Sequence, residues 1–100
     1  MDKETALRNA AVYANEVRKF FNPISIVMYG SYIQGVPSPE SDIDIAVIFN
    51  NYKGNWLKDS AKLWELTRGI STRIEPVLLD RANDPSGFVE SVYDNGELLL

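Results

Sequence analysis

Two apolar segments joined by a connection rich in glycine and proline organise this chain. Residues 24–29 and 42–49 are rich in β-branched and aromatic side chains, a composition that favours two β-strands. Between them, residues 36–41 contain Pro37 and Pro39, which exclude regular secondary structure. Because this connection is short and stiff, we expect the two strands to be antiparallel neighbours.

Asp42 and Asp44 open the second predicted strand. Successive side chains of a strand point to opposite faces, so these two carboxylates should point the same way, about 6.6 Å apart along the strand. Carboxylates at this spacing repel each other unless a cation lies between them or solvent surrounds them. Gly30 and Ser31, which end the first strand, should face them across the connection. The arrangement indicates a magnesium and phosphate site.

The same residues resemble a family signature. Gly30-Ser31, ten further residues and then Asp42-x-Asp44 resemble the motif of the nucleotidyltransferases with the DNA polymerase β-like fold. The local sequences YGSYIQG and SDIDIAV are most similar to the minimal nucleotidyltransferase (MNT) family. The resemblance implies an α+β fold in which a small mixed β-sheet is packed with helices in the order α-β-β-α-β-α.

The resemblance also implies the chemistry of the site. Asp42 and Asp44 would bind two Mg²⁺ ions, and Glu75, the acidic residue in the first part of the third predicted strand, would supply a third metal-binding and catalytic carboxylate. Gly30 and Ser31 would bind the phosphates of ATP or another nucleoside triphosphate. Two magnesium ions can activate an attacking hydroxyl and neutralise the leaving pyrophosphate, so the absence of cysteine and histidine removes nothing that the reaction needs.

The sequence departs from the family at one point of the phosphate site. Many relatives have a small residue and then arginine where this chain has Ile33 and Gln34. Phosphate binding would therefore depend on the metals, the turn amides and any basic side chain folded nearby. Arg68 and Arg73 are candidates for that role, and equally ordinary surface charges. From its 100 residues we also expect no room for the helical substrate-binding domain of larger relatives.

The remaining elements follow from periodicity. Residues 3–21 predict an amphipathic helix with Asp2 as its N-cap, and residues 31–34 predict a single helical turn. Residues 56–69 predict a helix that ends near Gly69 and whose inner side carries Trp56, Leu57, Leu63, Ala61 and Trp64.

A third strand is predicted over residues 72–80. It would run parallel to the second strand after a right-handed crossover and would lie at a sheet edge, because Pro76 lacks a ladder donor. That geometry brings Glu75 to the same end of the sheet as the two aspartates. A short helix should follow residues 84–86, and the last residues suggest an extended segment or a short strand.

Composition sets the frame. One hundred residues, 45% hydrophobic and 24% charged, predict a single domain over residues 1–100. The net charge of −4 makes direct nucleic-acid binding an unfavourable interpretation. No apolar run is long enough for a membrane span, and the cysteine-free chain fits the cytoplasm.

Two hypotheses for function remain open. In the first, the chain is a protein adenylyltransferase that moves AMP from ATP to a hydroxyl, and the resemblance makes a tyrosine of a HEPN-type toxin the leading acceptor in a toxin–antitoxin pair. In the second, the same fold is a non-catalytic antitoxin or regulatory binding module, alone or in an oligomer. Transfer to a small molecule such as an aminoglycoside is a weaker third.

Plainer readings of the same residues also stay open. Asp42 and Asp44 can be turn and edge residues, Glu75 an exposed strand glutamate, and the two tryptophans core or interface side chains rather than a stacking platform.

Overall fold

A computed structural model of the chain describes residues 2–35 and 41–99. For Gln34 it describes the backbone alone. The elements in chain order are α1 (Lys3–Phe20), β1 (Ser25–Tyr29), α2 (Ser31–Gln34), β2 (Ile43–Phe49), α3 (Trp56–Glu65), β3 (Ile74–Asp80), α4 (Phe88–Asn95) and β4 (Glu97–Leu98). Within the described ranges, none of the helices is sufficiently long and apolar to cross a membrane. The predicted α+β class and order are confirmed, with the single turn α2 and the two-residue strand β4 added to the six main elements.

The four strands form one mixed sheet in the order β3-β2-β1-β4. β1 pairs antiparallel with β2 and β4, whereas β2 pairs parallel with β3. Both predicted pairings of β2 are therefore confirmed. Most of the predicted proline-containing connection, residues 36–40, lies outside the described residues.

The N-terminal helix begins and ends where local chemistry requires. The Asp2 carboxylate accepts a hydrogen bond from the Thr5 N–H at 2.8 Å, which satisfies one of the free amides of the first turn. Phe21 is already extended, two residues before a proline. Farther along α1, the buried Tyr13 hydroxyl donates to the carbonyl of Leu63 at 2.7 Å and joins α1 to α3.

The two faces of the sheet carry separate apolar clusters. The larger cluster packs one face against α1, α2 and α3, and its strand residues are Ile26, Met28, Ile43, Ile45, Val47, Ile74 and Leu78. The smaller cluster packs the other face against α4, through Val27, Ala46, Ile48, Val89 and Val92. Because side chains alternate along β2, Asp44 belongs to the face that α4 covers only in part.

β3 lies at the sheet edge, as Pro76 predicts. The Ile43 N–H donates to the Arg73 carbonyl at 2.7 Å, and the Arg81 N–H donates to the Phe49 carbonyl at 2.8 Å. In a parallel ladder these bonds place the odd-numbered backbone groups of β3 toward β2. The missing N–H of Pro76 therefore faces away from the sheet and costs the β2–β3 ladder nothing.

The predicted end of α3 is wrong, and of the five residues predicted for its inner side only Leu63 is buried. Trp56, Leu57 and Trp64 are 54%, 74% and 49% exposed, and Ala61 is exposed as well. None of these four side chains reaches the core. The helix α3 packs over the single edge strand β3, so only one narrow line of its residues is buried against the sheet. Leu63 lies on that line and is buried.

The same line passes through small polar residues. Ser60 is half-buried, and Thr67 is buried with its hydroxyl donating to the Trp64 carbonyl at 2.7 Å. α3 ends at Glu65 rather than near Gly69, because the next amides, of Thr67 and Arg68, bond to carbonyls only three residues back.

Candidate active site

The sheet brings the three predicted carboxylates to one end. Asp44 is the second residue of β2, and the parallel register places it directly beside Glu75 on β3. Asp42 immediately precedes β2 and is exposed, as is Glu75, whereas Asp44 is half-buried. The side chains of Asp44 and Glu75 therefore share one face, and all three residues lie at the same sheet end.

The electrostatic state of the three carboxylates shows that they interact. Burial, with the charges of Glu75 and then Asp42 adding to it, raises the pKa of Asp44 to about 6. Burial also raises the pKa of Glu75. The charge of Asp42 raises this pKa further, as does a hydrogen bond that protonated Glu75 donates to Asp42. Without a cation, the site is therefore a group of carboxylates that resist ionising together.

The side chains do not form a closed metal cage. Among residues 2–35 and 41–99, no three acidic side chains converge closely enough to hold a metal ion together. The strand register places Asp44 beside Glu75, and both interact electrostatically with Asp42. Asp42, Asp44 and Glu75 therefore stay predicted ligands.

Gly30 creates the space that Asp44 occupies. Its backbone has φ 87° and ψ −155°, a conformation that essentially only glycine adopts. A Cβ atom at position 30 would collide with the Asp44 carboxylate, and it would lie only 3.2 Å from the carboxylate carbon. Gly30, which follows β1, and Asp44, the second residue of β2, are therefore in direct contact.

The turn after Gly30 begins a helix, as predicted. The Ile33 N–H donates to the Gly30 carbonyl at 3.1 Å, and Ser31 is the first residue of α2. The amides of Ser31 and Tyr32 precede this first bond, so α2 does not engage them. Ile33 packs against the larger apolar cluster, and the side chain of Gln34 is outside the described residues.

Two aromatic residues near the carboxylates were not predicted as part of the site. Tyr29 is the antiparallel partner of Asp44, so the two side chains share a face. Burial raises the pKa of the Tyr29 hydroxyl, and the charges of Asp44 and Glu75 add to the effect. Phe88, the first residue of α4, packs edge-to-face against Tyr29 with ring centroids 5.7 Å apart. The antiparallel register, had it been applied to Tyr29, would have found the first of them.

The donor chemistry of the site suits a hard divalent cation. Its donors are all carboxylate oxygens, which Mg²⁺ prefers, and a cation near them would offset both the burial and the neighbouring charges that raise the pKa of Asp44. The contact between Gly30 and Asp44 leaves backbone rather than side chain next to that carboxylate. Phosphate oxygens can approach closely at such a position.

Comparison with known proteins gives a consistent result. The family model described as "Polymerase beta, Nucleotidyltransferase" matches residues 13–100. The chain is also similar to a crystal structure described as "a putative nucleotidyltransferase from Sulfolobus solfataricus", with 25% sequence identity and a TM-score of 0.68. That similarity covers 96% of this chain and 80% of the other. A search of curated proteins found no match.

Proposed function

Because this chain belongs to the polymerase β nucleotidyltransferase family, we propose that it catalyses magnesium-dependent transfer of a nucleotidyl group, AMP from ATP, to a hydroxyl acceptor. One observation carries the proposal. The parallel register of β2 and β3 places Asp44 beside Glu75, while Gly30 contacts Asp44 from the turn that follows β1. Carboxylates and a close-approach glycine thus meet at one end of the sheet.

Each residue has a distinct role in this proposal. Asp42 and Asp44 would hold magnesium, which when bound supplies charge neutralisation and activation of the attacking hydroxyl. Glu75, on the neighbouring edge strand, would orient the acceptor hydroxyl and accept its proton. Gly30 and the amides of Ser31 and Tyr32 would receive phosphate oxygens through backbone N–H groups.

The acceptor would approach from solvent. Asp42 and Glu75 are both exposed, so the acceptor side of the site is open rather than enclosed. An open site suits an acceptor carried by another macromolecule. We therefore retain a tyrosine of a HEPN-type partner as the proposed acceptor, with this chain as the antitoxin of the pair and the cytoplasm as its location.

A second candidate function is a binding module that needs no catalysis. Trp56, Leu57 and Trp64 expose much of their apolar surface on α3, beside a groove of about 160 Å³ between α3 and β3. Exposed apolar side chains grouped beside a groove are a common feature of interaction sites. This surface could bind a partner whether or not the carboxylates act.

One substitution separates the two functions. We expect Asp42→Asn to reduce transfer at least about a hundredfold, because it removes one proposed metal ligand at a site where charge stabilisation dominates. Binding of a co-purifying partner should be unchanged. Asp42 interacts with Asp44 and Glu75, which lie on the face of the sheet opposite to the one against which α3 and its tryptophans pack. The measurement is incorporation of label from α-phosphate-labelled ATP into protein, beside a pull-down of the partner.

Asp94→Asn is the matched control for this experiment. Asp94 is exposed near the end of α4, where the neighbouring Tyr93 hydroxyl donates to Ser25 at the far end of β1. Asp94→Asn should therefore leave nucleotidyl transfer unchanged. Equal labelling by the wild type and Asp42→Asn would refute the catalytic proposal, and binding without labelling in both would favour the binding module.

A further inference from the structure

The aromatic pair formed by Tyr29 and Phe88 lies beside the carboxylates and has no role in the proposed chemistry. Tyr29 is half-buried opposite Asp44, and 39% of Phe88 is exposed although one side of its ring packs on Tyr29. An apolar ring that is held in place and open to solvent next to a substrate site is suited to receive a planar group.

Phe88 is held firmly by the rest of α4. The Asp84 carboxylate accepts hydrogen bonds from the Val89 N–H at 3.1 Å and from the Glu90 N–H at 3.4 Å. Val89 and Val92 are buried against the sheet, so the helix cannot slide over it without exposing them. The backbone of Phe88 is therefore fixed, and the contact with Tyr29 orients its ring before any ligand arrives, which reduces the entropy that binding would lose.

The position of the aromatic pair in the sheet indicates which part of the substrate it would contact. In the order β3-β2-β1, Glu75 lies on one side of Asp44 and the aromatic pair on the other, at β1, the strand that Gly30 follows. Glu75 marks the acceptor side and Gly30 the phosphate side in the proposed function. The aromatic pair is thus on the nucleotide side rather than the acceptor side.

We propose that Phe88, supported by Tyr29, is the nucleobase-contact residue of this chain and forms a platform on which the base of the nucleoside triphosphate stacks. The inference rests on the proposed function, since it takes the ligand to be a nucleotide. Stacking on an aromatic ring tolerates every base, because every base has a π-face. Phe88 accordingly contributes affinity for the nucleoside part and none for the phosphates.

The test compares two ligands that share phosphates. Binding of Mg²⁺-ATP and of Mg²⁺-tripolyphosphate is measured by calorimetry for the wild type, Phe88→Leu and Phe88→Trp. We expect Phe88→Leu to weaken ATP binding on the order of tenfold and to leave tripolyphosphate binding unchanged. Phe88→Trp, which retains a stacking surface, should keep ATP affinity.

Phe20→Leu is the matched control, because Phe20 is an exposed phenylalanine at the end of α1, away from Gly30. It should change neither affinity. Equal ATP affinity in the wild type and Phe88→Leu would overturn the platform, as would wild-type affinities for ATP and tripolyphosphate that do not differ. If the wild type binds neither ligand, the proposed function fails together with the platform. If the wild type binds both ligands and Phe88→Leu keeps its ATP affinity, only the platform fails, so the two failures are distinguishable.

Discussion

Replacing Asp44 by asparagine should stabilise the metal-free protein while it abolishes nucleotidyl transfer. Asp44 is half-buried between other carboxylates, and its pKa is raised to about 6. The ionised form is therefore unfavourable in the folded state, and asparagine removes that cost at almost the same volume. We expect a gain on the order of 1–2 kcal/mol at pH 8, after allowance for solvent screening.

The gain should depend on pH in a defined direction. A carboxyl whose folded pKa exceeds its unfolded value of 3.8 stabilises the fold most below pH 4, and that contribution is lost as the pH rises through about 6. The wild type should therefore approach Asp44→Asn in stability near pH 4 and fall below it by pH 8. The loss of transfer should reach at least about a hundredfold, as for Asp42→Asn.

Thermal unfolding with a chelator, from pH 4 to pH 8, measures this effect. Each 1 kcal/mol corresponds to about 4–8 °C for a domain of this size. Asp94→Asn removes a carboxylate at the far end of α4 and serves as the control for charge alone. A wild type that stays as stable as Asp44→Asn at every pH would show that neither burial nor the neighbouring carboxylates disfavour the ionised form of Asp44.

Replacing Gly30 by alanine should damage both the fold and the site. The backbone at Gly30 lies in a region that costs a side-chain-bearing residue about 1–3 kcal/mol, and the new Cβ would collide with the Asp44 carboxylate. The two cannot keep their positions together, so Asp44 must move. We expect a melting temperature lower by about 4 °C or more and weaker Mg²⁺-ATP binding, measured by thermal unfolding and calorimetry.

Gly69→Ala separates strain from collision. Gly69 also has a positive φ, of 81°, but a Cβ there would meet nothing within 4 Å. This variant should lose stability and keep its affinity for Mg²⁺-ATP. If both variants weaken binding to the same degree, contact between position 30 and Asp44 does not explain the effect.

Rules for single strands and for the pairing of two strands predicted the part of the fold that positions the carboxylates. The Gly30-Ser31 turn, the antiparallel β1–β2 pair and the parallel β2–β3 pair follow from strand composition, a short connection and the handedness of a strand-helix-strand unit. These pairings bring Asp44 and Glu75 to the same end of the sheet, and the register that makes them direct neighbours came from the structure. The edge position of β3 followed from Pro76 alone.

The orientation of α3 did not follow from its sequence. Its apolar residues suggested an inner face, yet Trp56, Leu57 and Trp64 are exposed and the buried line passes through Ser60 and Leu63. Which side of a helix is covered depends on what it packs against, and a single edge strand covers only a narrow line. Hydrophobic periodicity reports apolar residues and says nothing of the width of the surface beneath them.

The aromatic neighbours of the site required the tertiary structure. Tyr29 is adjacent in sequence to Gly30, so its proximity could have been found from the register. Phe88 is forty-four residues from Asp44 and reaches the site only because α4 returns across the sheet. Sequence patterns within one element cannot predict such a contact.

The most direct test of the central claim is thermal unfolding with magnesium and each of ATP, GTP, CTP and UTP, for the wild type and for Asp42→Asn/Asp44→Asn. A ligand at a hundred times its dissociation constant should add about 2.7 kcal/mol, roughly 10 °C or more here. We predict a magnesium-dependent shift with ATP that the double variant lacks, measured against each protein's own ligand-free value. A shift of equal size in the double variant, or no shift with any nucleotide in the wild type, would contradict the assignment of Asp42 and Asp44 to a metal–nucleotide site.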